Sequence, residues 1–435
     1  MATPTVGRQA ALEALARVRE GELADRALDA AAHGLEARER AWTQELVYGT
    51  FRLRGRIDYL LGRLARDGVE SLDPDVLDVL RLGAYQLLEM GSVPPYAAVS
   101  QSVDLVRMAG VPRAAGLVNG ILQNLQRRRE HISFPDARAD GAGYLTTWGS
   151  HPRWLVERWM ERFGPEQALA LVEANNRRPE LFIRPLGVSV DEAAARLRAA
   201  EIEAVRVGWS PDSLRIETPG TASEALAAVP AVVQDPAAAL VVRYADVPAG
   251  ATVLDLAAAP GGKAMGLADG AGRVAAADLS RRRVRRVTEN ARRVGWDDRI
   301  GVVVADGRMP PFRPADAVLL DAPCTGTGTL RRHPDGRWRV TPDDLAALTR
   351  LQDELLAAAA ECVRPGGLLI YSTCSLEREE NEVRVESFLA ANPGWRVDAT
   401  EAAPAEVRDA AGYLCVLPQA QGADGAFAAR LRRPA

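Results

Sequence analysis

The chain has 435 residues, room for two or three domains, with 47% hydrophobic and 26% charged residues and a formal net charge of −4. That balance excludes a globally basic nucleic-acid binder, so any RNA or DNA contact must rest on local patches. Four cysteines make no disulfide framework, and His33, His131, His151 and His333 do not cluster with them, so no structural zinc is expected. With no signal-peptide core and no run long enough to span a bilayer, a cytoplasmic, reducing location is expected.

Residues 1–135 read as a helical domain. Apolar residues recur at helical spacing in Ala10, Leu12, Leu15 and Val18, and the pattern continues in Arg38–Leu53, Arg56–Arg66, Pro74–Glu89, Ala97–Ala109 and Ala114–Arg128. Arg52, Arg54 and Arg56 lie close together, and Arg127, Arg128 and Arg129 end the last helix; for each group a solvated helix end is the simpler reading. Residues 130–150, rich in Pro, Asp, Gly and Ala, read as a linker. A linking domain over 150–235 then begins helical, to about 178. It continues as a small α+β unit with strands at Leu181–Arg184, Ala204–Val207 and Ser213–Ile216 and a helix at Val190–Ala200.

From 236 to 435, strands and helices alternate, which predicts a parallel sheet with crossover helices. The strands are Thr252–Leu256, Arg273–Ala277, Ile300–Val304, Ala317–Leu320 and Leu368–Tyr371. Thr341 and Pro342 are placed to start a helix that Pro365-Gly366-Gly367 would stop. The fold class is multidomain: an all-α N-terminal domain, a small α+β linking domain and a C-terminal Rossmann-like α/β domain.

The first strand of that last domain ends at Asp255 and runs into Ala257, Ala258, Ala259, Pro260, Gly261, Gly262 and Lys263, the only lysine in the chain. Small residues let a ligand approach the backbone closely. Asp278, about 20 residues beyond this turn, sits where an acid accepts hydrogen bonds from ribose. Asp306 follows the third strand and Asp321 the fourth. Four acids in register with four strand ends suit an adenosine-bearing cofactor. Ala264 after Lys263 rules out a phosphate loop, so S-adenosylmethionine fits better than a nucleotide. No metal is expected.

Cys324 follows the fourth strand and Cys374 the fifth, so both thiols should face one pocket. Methylation of cytosine at carbon 5 needs such chemistry: a thiolate adds to carbon 6, the activated carbon 5 takes the methyl group, a base removes the carbon-5 proton, and the thiolate leaves. Cys362, placed in a helix, and Cys415, in a late strand, read as buried apolar side chains.

With these residues in place, the chain resembles the RNA cytosine-C5 methyltransferases of the Nop2/Sun type, in the bacterial Fmu/Sun/RsmB family acting on 16S rRNA. The motifs are Ala-Ala-Pro-Gly-Gly-Lys at 258–263, Leu-Leu-Asp-Ala-Pro-Cys at 319–324 and Tyr-Ser-Thr-Cys-Ser at 371–375, with Gly-Thr-Leu-Arg-Arg-His-Pro-Asp at 328–335 and Glu-Glu-Asn-Glu at 379–382. The N-terminal region resembles the RNA-binding antiterminator NusB in residues 45–49, 82–88 and 118–122. The resemblance implies that residues 257–263 bind the methionine end of S-adenosylmethionine, Asp278 the ribose and Asp306 the adenine side, with Asp321 between cofactor and target base. It implies Cys374 as nucleophile and Cys324 in release of the product. Ala257 and Ala264 depart from the cysteine and threonine common in the family, which bears on cofactor affinity.

The expected partner is RNA, above all 16S rRNA, with no DNA and no membrane, and the protein is expected to be a monomer. Two arginine groups are the local basic patches: Arg281, Arg282, Arg283, Arg285 and Arg286, and Arg331, Arg332, His333, Arg337 and Arg339. The second is the stronger RNA candidate, with Trp338 available for stacking. The alternatives are a tRNA cytosine-C5 methyltransferase and a catalytically inactive RNA-binding assembly factor.

Overall fold

The structure is a computed structural model that describes residues 3–218 and 222–435. The chain divides into two compact units: Met1–Arg177 with Leu330–Arg339, and Arg178–Thr329 with Val340–Ala435.

The first unit is helical: α1 (Val6–Arg19), α2 (Ala24–Ala31), α3 (Ala37–Arg52), α4 (Arg54–Gly62), α5 (Pro74–Glu89), α6 (Pro95–Met108), α7 (Ala115–Arg128), α8 (Gly141–Thr147), α9 (Arg153–Phe163) and α10 (Pro165–Asn176). The apolar stripes of α1 to α7 close over one core that includes Leu46, Ile57, Leu80, Leu82, Leu105, Leu122 and Leu125. Asp73 caps α5 by accepting from the Asp75 amide, with Pro74 at the first helical position. Gly49 lets α3 approach α5, since a Cβ there would lie 1.9 Å from the Tyr85 ring.

The expected linker is more ordered than its composition suggests. It contains α8, and Phe134 stacks on Tyr59 at 4.9 Å and meets Trp148 edge-on at 5.1 Å. Aromatic packing, invisible to a turn-residue count, ties it to α4. Helices α9 and α10 also pack in this unit.

Leu330–Arg339 belongs here too. Arg337 is fully buried and donates to the carbonyls of Arg52, Ser150, Asn175 and Leu330 at 3.1–3.2 Å and to Asn176 Oδ1 at 2.8 Å. Burial, and then the nearby guanidinium, hold His151 neutral, well below the usual histidine range. The Trp338 indole donates to the Phe51 carbonyl at 2.7 Å with Arg54 over its ring, and Arg339 pairs with Asp335 at 3.1 Å. The expectation that Arg331, Arg337, Arg339 and Trp338 form an RNA-facing patch is therefore corrected. Arg331 and Arg337 are buried, and Trp338 and Arg339 are engaged within the unit. Arg52 is likewise buried rather than solvated, and Arg56 lies over Trp148 at 3.8 Å.

The second unit opens with an antiparallel sheet of order β2-β3-β1-β4: β1 (Leu181–Pro185), β2 (Ala204–Arg206), β3 (Leu214–Ile216) and β4 (Ala231–Val233), with α11 (Val190–Ala199) and α12 (Ala222–Ala228). Helix α13 (Pro236–Ala245) leads into the main sheet. In chain order follow β5 (Thr252–Asp255), α14 (Gly262–Gly270), β6 (Arg273–Asp278), α15 (Arg281–Arg293), β7 (Ile300–Val304) and β8 (Ala315–Asp321). Next come α16 (Gly336–Arg339, in the first unit), α17 (Pro342–Glu361), β9 (Val363–Thr373), α18 (Glu382–Ala391), β10 (Arg396–Val397), β11 (Leu414–Val416), α19 (Pro418–Gln421) and β12 (Ala426–Arg432).

The main sheet has the order β10-β12-β9-β8-β5-β6-β7, with β11 on β12. Strands β5 to β9 are mutually parallel, and β12 is antiparallel to β9. Thr341 and Asp344 form a capping box at the start of α17. Its end corrects an expectation. The helix stops at Glu361, and Pro365-Gly366-Gly367 lies inside β9, where the register shifts between Ala315 and Ala317. Gly366 has φ +71°, and a Cβ on Gly367 would meet the Asp316 carbonyl at 2.9 Å, so these glycines serve a bulge rather than a helix stop.

Candidate active site

Strands β5 and β8 are neighbours, but the sheet grows outward from them in opposite directions. Such a switch point opens a crevice at the carboxyl ends of the strands. Asp255, Asp278 and Asp321 end β5, β6 and β8, and Asp306 stands two residues beyond β7. The four acids thus share one edge, as expected from their spacing.

After Asp255 the chain turns through Ala257–Pro260 into α14. Gly261 caps the helix at φ +107°, and a Cβ there would lie 3.2 Å from Val287 Cα. The turn frames a cleft of about 360 Å³, lined among others by Asp255, Ala257, Ala259, Gly262, Lys263 and Asp321. Gln234, Asn290 and Arg293 also line it, three residues the sequence did not single out.

Asp255 is fully buried, and neither carboxyl oxygen has a hydrogen-bond partner among the described residues. Burial, with Asp321 nearby, pushes its pKa up to about 7, against the pull of Lys263. Lys263 donates to Asp321 Oδ2 at 2.7 Å, and the Ser372 hydroxyl donates to Asp321 Oδ1 at 2.7 Å. Burial works against the ammonium's charge, but Asp321 outweighs it and holds Lys263 above its usual range. A buried carboxyl with no hydrogen-bond partner among the described residues, at the floor of a small-residue cleft, suits a ligand that brings a cationic donor, as the ammonium group of S-adenosylmethionine would.

Asp278 lies deeper than expected for a free ribose acceptor. It accepts from the amides of Ser280 at 2.9 Å and Ala259 at 3.3 Å, with Arg283 at 3.5 Å. Asp306 is held by the amide and guanidinium of Arg308, which lower its pKa.

The two thiols meet. Cys324 Sγ and Cys374 Sγ are 3.4 Å apart, and both cysteines are half-buried. The hydrogen bond to Cys374, burial and the Glu380 carboxylate push the Cys324 thiol well above the ordinary range. Glu380, within Glu-Glu-Asn-Glu at 379–382, has no role that the sequence marks. It is fully buried, accepts from the Thr325 amide at 2.9 Å, its hydroxyl at 2.5 Å and Gln352 Nε2 at 3.0 Å, and its carbonyl accepts from Tyr371. Ser375 contacts Thr325 and Thr327, while Asn381 donates to the Ser375 carbonyl. One buried carboxylate and its hydroxyl neighbours thus bind the two cysteine loops together. Gly328 completes the seam: its amide donates to the Cys374 carbonyl at 2.9 Å, and a Cβ would lie 2.7 Å from that oxygen.

Cys362 is buried, as expected. Cys415 is half-buried beside Asp409 rather than buried in the core, a correction that follows from its place in β11 at the sheet's margin.

The family model described as 16S rRNA methyltransferase RsmB/F matches residues 245–432. A NusB family model matches 5–127, and a ferredoxin-like domain model of RsmF/B-like methyltransferases matches 151–223. The chain is 35% identical over 406 residues to the ribosomal RNA small subunit methyltransferase B of Klebsiella pneumoniae, covering 91% of this chain and 90% of the relative. It is 33% identical to a probable ribosomal RNA small subunit methyltransferase B of Synechocystis, covering 94% of each. Among solved structures, that of PH0851 matches at a TM-score of 0.81 and 27% identity over 100% of both chains. A methyltransferase homologue from Pyrococcus horikoshii matches at 0.54 and 26% identity, over 66% of this chain and 96% of that one.

Proposed function

The chain belongs to the RsmB/F family of 16S rRNA methyltransferases, and from that premise we propose that it transfers a methyl group from S-adenosylmethionine to carbon 5 of a cytidine in 16S rRNA, through a covalent cysteine adduct. The single observation that carries the reading is the pair of sulfurs 3.4 Å apart at the ends of neighbouring strands, beside the Lys263–Asp321 pair. In this reading residues 1–135 engage RNA, 150–235 link and 236–435 catalyse.

S-adenosylmethionine supplies an electrophilic methyl group. Residues 257–263 and the orphaned oxygens of Asp255 would hold its charged methionine end, with Asp278 toward the ribose and Asp306 toward the adenine. Cys374 acts as nucleophile and forms the bond from its sulfur to carbon 6 of the target cytosine. That addition moves an electron pair toward carbon 5. Cys324, its sulfur 3.4 Å from that of Cys374, is placed to assist release of the methylated base. Asp321, fixed by Lys263 and Ser372, stands between the cofactor cleft and the cysteines.

The test is transfer of labelled methyl to deproteinised 16S rRNA and, separately, to bulk tRNA. Label at carbon 5 of rRNA cytidine, lost in Cys374→Ala, is the expected result. Cys324→Ala should accumulate a protein–RNA adduct that survives denaturing electrophoresis; normal turnover by that variant would remove the release role. Label on tRNA alone would keep the chemistry and discard the substrate.

A further inference from the structure

We propose that the outer face of α15 is a docking surface for the phosphate backbone of the RNA substrate, an inference that rests on the reading above. The helix carries Arg281, Arg282, Arg283, Arg285, Arg286, Arg292 and Arg293, all exposed, against one acid, Glu289. Its inner face is Val284, Val287 and Ala291, all buried.

Three of the seven arginines are occupied within the fold. Arg283 donates to the Ala259 carbonyl at 2.6 Å and pairs with Asp278, Arg292 pairs with Asp297, and Arg293 donates to the Ala231 carbonyl at 2.6 Å. Arg281, Arg282, Arg285 and Arg286 have no hydrogen-bond or carboxylate partner among the described residues. They fall at i and i+4 in two pairs, which puts them on one face along about 8 Å of helix axis.

This placement works against the helix itself. Like charges four residues apart repel. Arg281 and Arg282 also sit in the first turn, where the helix dipole disfavours cations and where no acid offsets them. A solvated face of mixed charge would carry neither penalty. An external polyanion relieves both at once.

Position favours RNA as that polyanion. Ser280 caps α15 directly after Asp278, at the edge of the sheet that carries Cys324 and Cys374. An anionic lipid surface is less suited, because a membrane-lying helix exposes an apolar face, and the apolar residues of α15 point inward. The rival patch at 331–339 is largely taken up by folding: Arg331 and Arg337 are buried, Trp338 bonds to the Phe51 carbonyl and Arg339 pairs with Asp335, which leaves Arg332 half-buried and His333 exposed.

The experiment measures binding of the full chain to deproteinised 16S rRNA across a potassium chloride series, together with the methyl-transfer KM for the same RNA. The protein is compared with R281Q/R282Q/R285Q/R286Q and with the matching fourfold lysine variant. Each lost phosphate contact makes the slope of log affinity against log salt shallower by about 0.7–0.9. With four contacts removed, the glutamine variant is expected to lose about 3 units of slope and to raise KM about tenfold, and the lysine variant to restore both. An unchanged slope and KM in the glutamine variant, with the wild type active, overturns this surface and leaves the enzyme reading intact. A wild type that neither binds nor methylates rRNA overturns the enzyme reading, and this inference with it. Loss of binding to phosphatidylserine vesicles with rRNA binding unchanged would reassign the face to a membrane.

Discussion

Cys324 and Arg337 lie within one short stretch of chain, yet each anchors a different kind of buried polar site. Around Arg337 the guanidinium meets carbonyls and an amide oxygen at bonding distance, and its neighbours close over it. Around Cys324 a thiol meets a thiol, and beside the pair an open cleft holds a carboxylate with no hydrogen-bond partner. Both sites are rich in polar side chains, so polarity does not tell them apart. The difference is what borders an unmet atom: Arg337 Nε, which has no hydrogen-bond partner among the described residues, is sealed in by packed neighbours, whereas the Asp255 oxygens lie at the floor of an open cleft that a ligand can enter.

That contrast can be broken most sharply by exchanging the two kinds of loss. Cys374→Ala should abolish methyl transfer while the thermal midpoint changes little, because a half-buried thiol contributes little packing; paired activity and melting measurements check it. Arg337→Met should do the reverse at its origin. It strands the carbonyls now bonded to the guanidinium, each at a cost of about 1–3 kcal/mol, and should destabilise the protein by at least that much in urea unfolding. Equal effects of the two changes on stability would dissolve the distinction.

A finer test uses pH. The Asp255 carboxyl has its pKa raised to about 7 from an ordinary 3.8, so the folded protein binds the proton that the unfolded chain gives up across that interval. Stability should therefore fall as pH rises from about 4 through about 7 and level off above. Asp255→Asn should remove a decline on the order of 3 kcal/mol, read from urea midpoints between pH 5 and 8. Parallel curves for the two proteins would mean that Asp255 is not the strained group. The smallest effect is expected for Glu380→Gln. The amide oxygen can keep the Thr325 amide and Gln352 Nε2, while the new NH2 meets the Thr325 hydroxyl, which must turn from donor to acceptor, and the charge on these bonds is lost, at a cost of about 1 kcal/mol. The looser cysteine loops should slow methyl transfer about tenfold, seen in kcat more than in KM for RNA.

Much of this was legible in the chain. The strand ends carrying Asp255, Asp278 and Asp321 follow from short apolar runs that stop at acids, and the start of α17 from Thr341-Pro342. These signals are local, so a linear reading reaches them. What it missed depends on distance along the chain or on burial. Glu380 acts on Thr325 across a long separation, and nothing in Glu-Glu-Asn-Glu marks which acid turns inward. The run from Arg331 to Arg339 is as arginine-rich as α15, but a guanidinium that meets backbone carbonyls inside a helical core looks the same in sequence as one that waits for phosphate. Pro365-Gly366-Gly367 has the composition of a helix stop and also of a bulge, and only the partner strand decides.

The passage of Leu330–Arg339 into the helical unit has a consequence for modularity. The helical region resembles a part that could be appended to, or removed from, a catalytic protein at a single junction. It is not so separable here, because the catalytic half of the chain contributes a length of its own interior to the helical one. A gene fragment starting at Arg178 would encode Cys324, Cys374 and the cleft at Lys263, yet it would carry Arg337 and Trp338 with no housing. In this chain, replacing the helical unit would therefore mean rewriting Leu330–Arg339 as well, a stretch in the middle of the other half.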